Sequence, residues 1–387
     1  MTKNILIGIT SSIASYKIYE LIRLYRKNGY SVKTVLTKNA LNFVSPLVLE
    51  TLSNNKCYYE QFEVRDNVEH IGLVEWADIF VLAPASANTI SKIACGICDN
   101  LLTSVFCAYL GSKKPILIAP AMNNNMYDNP IVQENIAKLI KYGCEIVEPE
   151  VGFLACGAEA KGRLADIDLI YLKSLRLIYQ NKENNSKKIV ITLGGTREKI
   201  DSVRFITNSS SGKTGIQLAN WAYKLGFDVV AVTTVEFKAP YQTIFVNSAN
   251  EMLNELQKLD FNYLIMAAAV GDFKAKDESE FKISKEDMKD DFELKLTQNP
   301  DVVKTIAQNK KENQRIIGFC LTDRDLINCA KNKLVNKNLD FIVANDVSAL
   351  NSNENEVTII EKSGKIINID KDTKDMIAKR ILEVVCD

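Results

Sequence analysis

The sequence predicts an α/β protein built from two doubly wound, Rossmann-like domains. Three observations carry this. The chain has 387 residues, more than a single domain of ~100–200 residues ordinarily holds. Short apolar runs alternate with amphipathic stretches along its length, the pattern of parallel strands joined by helices. The pattern breaks once, at the polar stretch QNKENNSKK over 180–188, and then restarts.

In the first half, strands are expected at 4–10, 31–37, 78–83 and 115–119, with helices between them such as 13–27 and 100–109. Runs this apolar are expected to be covered on both faces, as strands of a parallel sheet are. In the second half, strands fit 188–193, 228–234, 263–267, 315–320 and 340–344. A glycine-rich turn and a helix over roughly 212–225 follow the first of them. The domains are therefore expected at 1–180 and 187–387, joined through 180–188.

The charge balance, 48 basic against 48 acidic residues, leaves no electrostatic footprint for nucleic acid or an anionic membrane. An anionic ligand must then be held by local donors. The opening MTKNILIGITSSIASYK reads as a strand entering a polar turn and lacks the marks of a signal peptide. No apolar run approaches the ~18 residues of a membrane helix. Nine scattered cysteines, an odd number, suit reduced thiols and a cytoplasmic location. Cys95 and Cys98 have the spacing of a redox or zinc motif. However, they fall in a stretch that reads as helix, lack a second pair, and share the chain with a single histidine, His70.

Three loops of the first half fall at carboxyl ends of strands, where ligands bind in such sheets. They are Thr10-Ser11-Ser12, PASANT over 84–89 and PAMN over 120–123. Each alone reads as ordinary helix capping. Together they offer hydroxyls and backbone N–H groups to a phosphate.

PASANT and PAMN, with Ala155-Cys156-Gly157 and Gly162-Arg163, resemble the flavin-containing cysteine decarboxylase family. Within it they resemble the phosphopantothenoylcysteine decarboxylase domain of bifunctional coenzyme A biosynthesis proteins. The resemblance covers 4 to about 175 and implies an N-terminal flavoprotein domain. It implies FMN held by Ser11, Ser12, Thr37, Ser86, Asn88 and Thr89, in a site formed between subunits of a trimer. By the same resemblance His70, in EHIGLVEWAD, is a base that orients the substrate. Asn123 holds the substrate carboxylate, and Cys156 is the acid that protonates an enethiol product. The chemistry needs such groups, because an amide-linked cysteine has no electron sink for decarboxylation until its thiol is oxidised. Leu164 departs from the methionine often found in the flap after Cys156.

After the strand at 188–193 comes GGTREKIDSVRFITNSSSGKTG. Its SSGKTG lacks the spacing of a phosphate-binding P-loop. The segment resembles the phosphopantothenate–cysteine ligase domain, which implies a C-terminal nucleotide-binding ligase domain. The match continues through AAAVGD over 267–272, Lys282, Asn299-Pro300-Asp301, Gly318-Phe319, and Lys333 and Lys337 ahead of Asn345-Asp346. It implies a CTP site lined by Ala267, Ala268, Asp272, Lys282, Pro300, Asp301, Val302, Val303, Phe319, Lys333 and Lys337. Asn208 would hold an acyl-cytidylate, Lys282 would steady developing charge, and Mg2+ would bridge phosphates without a metal ligand being singled out. Leu193, Gly195 and Thr322 depart from the family's usual Ala, Pro and acidic residue.

The resemblance thus implies an enzyme that joins 4′-phosphopantothenate to cysteine with CTP and then decarboxylates the product to 4′-phosphopantetheine. It also implies a homo-oligomer, a trimer-based N-terminal assembly with dimerising C-terminal domains that together would make a dodecamer. Two alternatives remain at this point. A flavin prenyltransferase or peptide cysteine decarboxylase would leave the second half unused. A non-catalytic flavoprotein subunit would not need His70, Asn123 and Cys156 together.

Overall fold

The computed structural model describes residues 2–61, 69–153, 157, 159–284, 293–322, 325–346 and 354–386. The chain divides into two units, Met1–Tyr179 and Gln180–Asp387.

Among the described residues, the first unit is built on six strands. They are β1 (Asn4–Ile9), β2 (Ser31–Leu36), β3 (Cys57–Tyr58), β4 (Ile79–Ala85), β5 (Ile116–Pro120) and β6 (Glu145–Ile146). They pair in the order β3-β2-β1-β4-β5-β6, all parallel. This is a doubly wound order, which reverses between β1 and β4 and leaves a crevice at the carboxyl ends of those two strands. All seven residues of β4 and all five of β5 are buried, as a sheet covered on both faces requires. Phe80 and Leu82 of β4 pack under Val105, Phe106 and Tyr109 of the helix Leu101–Gly111. That helix starts where a capping box permits: Asn100 Oδ1 accepts from Thr103 N at 3.1 Å and Thr103 Oγ1 accepts from Asn100 N at 3.3 Å. The expected helix over 13–27 is a 3-10 turn, Ile13–Lys17, followed by a helix, Ile18–Lys27. An antiparallel hairpin, β7 (Glu150–Phe153) with β8 (Glu159–Arg163), extends from this unit.

The second unit runs in chain order through β9 (Lys188–Leu193), the hairpin β10 (Arg197–Lys199)–β11 (Phe205–Thr207), β12 (Asp228–Thr233), β13 (Gln242–Phe245) and β14 (Tyr263–Met266). Then follow the pair β15 (Phe273–Ala275) and β16 (Leu296–Gln298), β17 (Arg315–Thr322), β18 (Phe341–Asp346), β19 (Glu354–Glu361) and β20 (Ile366–Thr373). The main sheet has the order β13-β12-β9-β14-β17-β18-β19-β20. Its first six strands are parallel and repeat the order of the first unit. β19 and β20 then extend it antiparallel, an edge the sequence reading did not anticipate. Val190, Leu264 and Ile316 pack against one helical layer, through Met252, Leu256, Val302, Ile306 and Leu334. The helices Lys213–Lys224 and Lys374–Val385 pack against each other, the former also against β9 and β12. Among the described residues no helix is long and apolar enough to cross a membrane.

The 180–188 stretch, read above as a connection, is folded onto the second unit. Lys182–Asn184 form a 3-10 turn. Asn181 N donates to Leu225 O at 3.0 Å, and Asn184 Nδ2 donates to the same oxygen at 3.1 Å. These bonds cap the end of the helix Lys213–Lys224. A fragment beginning at Gln180 should therefore be more stable than one beginning at Lys187, by about 1–3 kcal/mol for two bonds of roughly 0.5–1.5 kcal/mol each. Urea midpoints of the two fragments test this, and equal midpoints would show the turn to be ornamental.

Candidate active sites

In the first unit the three loops predicted to hold a ligand are tied together at the β1–β4 crevice. Thr10, fully buried at the end of β1, donates through Oγ1 to Pro84 O at 2.7 Å and accepts from Ser86 N at 2.9 Å. Ser12 Oγ donates to Ala121 O at 3.3 Å, and Ala121 N donates to Ala85 O at 3.1 Å. Ser86 caps the helix Ala87–Ala94, with Thr89 N donating to its Oγ at 3.4 Å. Ser11 and Ser12 are half-buried, Asn88 is exposed and Thr89 is buried. Thr37 closes β2 beside this crevice, its N–H donating to Ile9 O at 3.0 Å. The Thr37 hydroxyl is buried and has no partner among the described residues. An orphaned hydroxyl beside loops that open helices fits a bound phosphate-bearing cofactor.

Asn123 Oδ1 accepts from Asn125 N at 2.9 Å and so caps the short helix Asn124–Tyr127. The hairpin β7–β8 is anchored at this same loop, because Met122 N donates to Gly162 O at 3.0 Å. Only glycine suits position 162, where φ is +154° and a Cβ would collide with Met122 O. Leu164, which replaces the family's frequent methionine, is fully buried. Cys156 lies outside the described residues, so the hairpin's base is placed and its candidate acid is not. His70 is half-buried in the first turn of the helix Glu69–Trp76, which packs against Leu101–Gly111. It takes part in none of the bonds that join the three loops. Cys95 caps the helix Ala87–Ala94 and Cys98 follows it in an irregular segment, both exposed, rather than lying within a helix as expected.

The second unit has a cavity of about 850 Å³ at the corresponding edge of its own sheet. Ten of the eleven residues expected at a nucleotide line it: Ala267, Ala268, Asp272, Pro300, Asp301, Val302, Val303, Phe319, Lys333 and Lys337. Asn208 lines it too. Hydroxyls again hold the walls together. Thr192 Oγ1 accepts from Ala268 N at 3.1 Å, Thr196 Oγ1 accepts from Gly271 N at 2.8 Å, and Asn208 Nδ2 donates to Val270 O at 3.1 Å. The helix Lys213–Lys224 approaches β9 closely at Gly215, where any Cβ would collide with Leu193 Cβ. Asp301 caps the helix Val302–Gln308 and forms an ion pair with Lys337 at 2.9 Å. Lys333 stands near Cys320, whose thiol is pushed up chiefly by burial, with Lys333 opposing the shift. The side-chain oxygens of Asn299 and Asn345, both in the lining, are buried without a partner among the described residues. Their signal in the sequence was membership of the motifs, which gave them no role.

Lys282 stands apart from the cavity lining and is exposed. Its segment is held by Asp201, a buried carboxylate that sequence reasoning matched to a motif without assigning it work. Asp201 accepts from Val203 N at 2.8 Å, Arg204 N at 2.7 Å, Ile283 N at 3.2 Å and Arg204 Nη1 at 2.8 Å. Burial alone would raise its pKa, but the three backbone donors and Arg204 outweigh burial and hold it below the ordinary aspartate value.

The family model Flavoprotein matches residues 1–179, and the model DNA/pantothenate metabolism flavoprotein C-terminal domain matches 184–387. Fold and family models together define the class as a two-domain flavoprotein. The relatives include the Coenzyme A biosynthesis bifunctional protein CoaBC of Borreliella burgdorferi, 42% identical over 390 residues, 99% of this chain and 99% of that protein. Those of Haemophilus influenzae and Bacillus subtilis are 37% and 38% identical, covering 94% of this chain and 92% and 91% of theirs. The chain belongs to the family of bifunctional coenzyme A biosynthesis proteins.

A depressed folded-state pKa at Asp201 contributes stability that is fully present above the unfolded value of ~3.9 and lost as pH falls through the lower folded value. Wild type should therefore exceed Asp201→Asn in urea midpoint by a constant margin from pH 7 to about pH 5, with the margin shrinking only below ~3.9. A margin already lost at pH 5 would contradict the assignment.

Proposed function

We propose that this chain makes 4′-phosphopantetheine in two steps, one in each unit. In the second unit CTP activates 4′-phosphopantothenate. The substrate carboxylate attacks the α-phosphorus, pyrophosphate leaves, and the cysteine amine then displaces CMP from the acyl-cytidylate. The first unit decarboxylates the resulting phosphopantothenoylcysteine. One observation supports this above the others: the crevice loops and the cavity lie at equivalent edges of two sheets, and ten of the eleven residues expected at the nucleotide line the cavity.

FMN, when bound in the first unit, supplies a two-electron oxidation of the substrate thiol and returns the same electrons after CO2 has left. Ser11, Ser12, Ser86, Asn88 and Thr89 would hold it in the crevice, and the Thr37 hydroxyl would gain a partner there. Asn123 holds the substrate carboxylate, His70 orients the substrate as base, and Cys156 delivers the final proton to the enethiol. His70 stands apart from the loops within one chain. A homo-oligomer, with a trimer-based N-terminal assembly and dimerising C-terminal domains, would bring a neighbour's His70 to them. Exposed apolar residues such as Ile13, Leu47, Ile131 and Phe153 suit such burial.

In the second unit Asn208 holds the acyl-cytidylate, and the unpartnered oxygens of Asn299 and Asn345 suit an exocyclic amino group of the base. Mg2+ enters on the triphosphate. Among the described residues no cluster of three His, Cys, Asp or Glu side chains is placed to hold a metal. Lys282 reaches the reacting phosphate when its segment, tethered through Ile283 to Asp201, closes over the nucleotide.

Purified protein should be yellow and release FMN on denaturation; a colourless protein that FMN cannot reconstitute would count against the decarboxylase. Lys282→Gln should lower ligation by about 10²–10³ while CTP binding weakens modestly. Decarboxylation of supplied phosphopantothenoylcysteine should be untouched in this variant. Ligation within a few-fold of wild type would make Lys282 an ordinary surface lysine.

A further inference from the structure

Four lysines line the cavity of the second unit: Lys213, Lys333, Lys337 and Lys374. Lys337 is neutralised by Asp301. Lys333 stands beside the Cys320 thiol, and neither it nor Lys213 nor Lys374 forms an ion pair with a carboxylate among the described residues. The acid next to Lys374, Asp375, reaches instead to the buried Lys224 at 3.5 Å. Two positive charges thus share one wall of a concave site without a counter-charge. Burial lowers the amine pKa of the half-buried Lys374, and the charge of Lys213 lowers it further.

The backbone sharpens this imbalance. Lys213 and Lys374 are the first residues of the helices Lys213–Lys224 and Lys374–Val385, which pack side by side. Each helix start carries roughly half a positive charge, so a cation there is disfavoured and an anion favoured. Gly212, which precedes Lys213, supplies no side chain to cap the first turn. Two lysines on two adjacent helix starts, facing one cavity, are stabilised only when an anion joins them.

We propose that Lys213 and Lys374 clamp a phosphoryl group at this end of the cavity. The group comes from the nucleotide, as its terminal phosphates or departing pyrophosphate, or from the phosphate monoester of the acid substrate. The proposal rests on the ligase reading of the cavity. It adds Lys374, a residue that lies outside every motif named in the sequence, in the charged stretch KDTKD.

Calorimetric titration of the full-length protein with CTP, inorganic pyrophosphate and 4′-phosphopantothenate, each alone, tests it. Lys374→Gln should weaken one phosphate class by about 10- to 100-fold, the effect of losing a charge-assisted bond, and Lys374→Arg should retain most of the affinity. Loss for CTP and pyrophosphate alone assigns the clamp to the nucleotide, whereas loss for 4′-phosphopantothenate alone assigns it to the acid substrate. The ligand-free melting temperature of Lys374→Gln should stay level or rise, because a like charge has been removed from a helix start. All three affinities within about two-fold of wild type would overturn the clamp, as would a clear fall in that melting temperature. A wild type that binds pyrophosphate through Lys374 but not CTP would sink the ligase reading and leave the anion clamp standing.

Discussion

A parallel sheet covered on both faces gives polar chemistry one place to emerge, the carboxyl edge of its strands. Along β4 every side chain is buried, and β1, β5, β9, β12 and β14 are buried except at their first residues or not exposed at all. A catalytic side chain inside such a strand would be desolvated without a partner. The loops of the candidate sites therefore begin where the strands end, at Thr10, Thr37 and Ser86 in one unit and at Gly194 and Ala267 in the other. Both units adopt the same strand order, so both place their candidate sites at the point where that order reverses.

The edges would be floppy if the loops were held by apolar contact alone. Buried threonine hydroxyls fix them instead. Thr10, Thr192 and Thr196 are all fully buried, and each bonds a loop from a neighbouring strand. A valine or alanine in their place would leave a backbone group unpaired, or move the loop, at a cost of roughly 1–3 kcal/mol per unmatched buried group. The same logic makes the Thr37 hydroxyl informative. It has no partner among the described residues, which suits a group that meets a ligand.

Much of the fold was legible because apolar runs such as DIFVLA and KIVITL have only one stable use in a chain of this composition. What was missed had no such signal. β3 and β6 are two residues long, and β19 and β20, which carry charged residues through ENEVTIIE and IINIDKDT, were assigned no element from the sequence. They are strands because they pair at an edge, a tertiary cause that no local pattern reports. In the site, the cavity residues were legible as motif members. Lys374 was not, since its partner helix start lies some 160 residues away in sequence and only folding brings the two together. The folded state of 180–188 was hidden for a similar reason. Its asparagines look like a solvated tether until Leu225 O is beside them.

The two sites are expected to act in series yet independently, because each has its loops at the edge of its own sheet. Release of labelled CO2 from the cysteine carboxyl reports on that directly. With 4′-phosphopantothenate, labelled cysteine and the intact protein, CO2 should appear only when CTP is present. With labelled phosphopantothenoylcysteine supplied instead, it should appear at full rate without CTP. Release from that intermediate that still required CTP would contradict two separate sites, and so would failure of CTP to support release from the starting substrates.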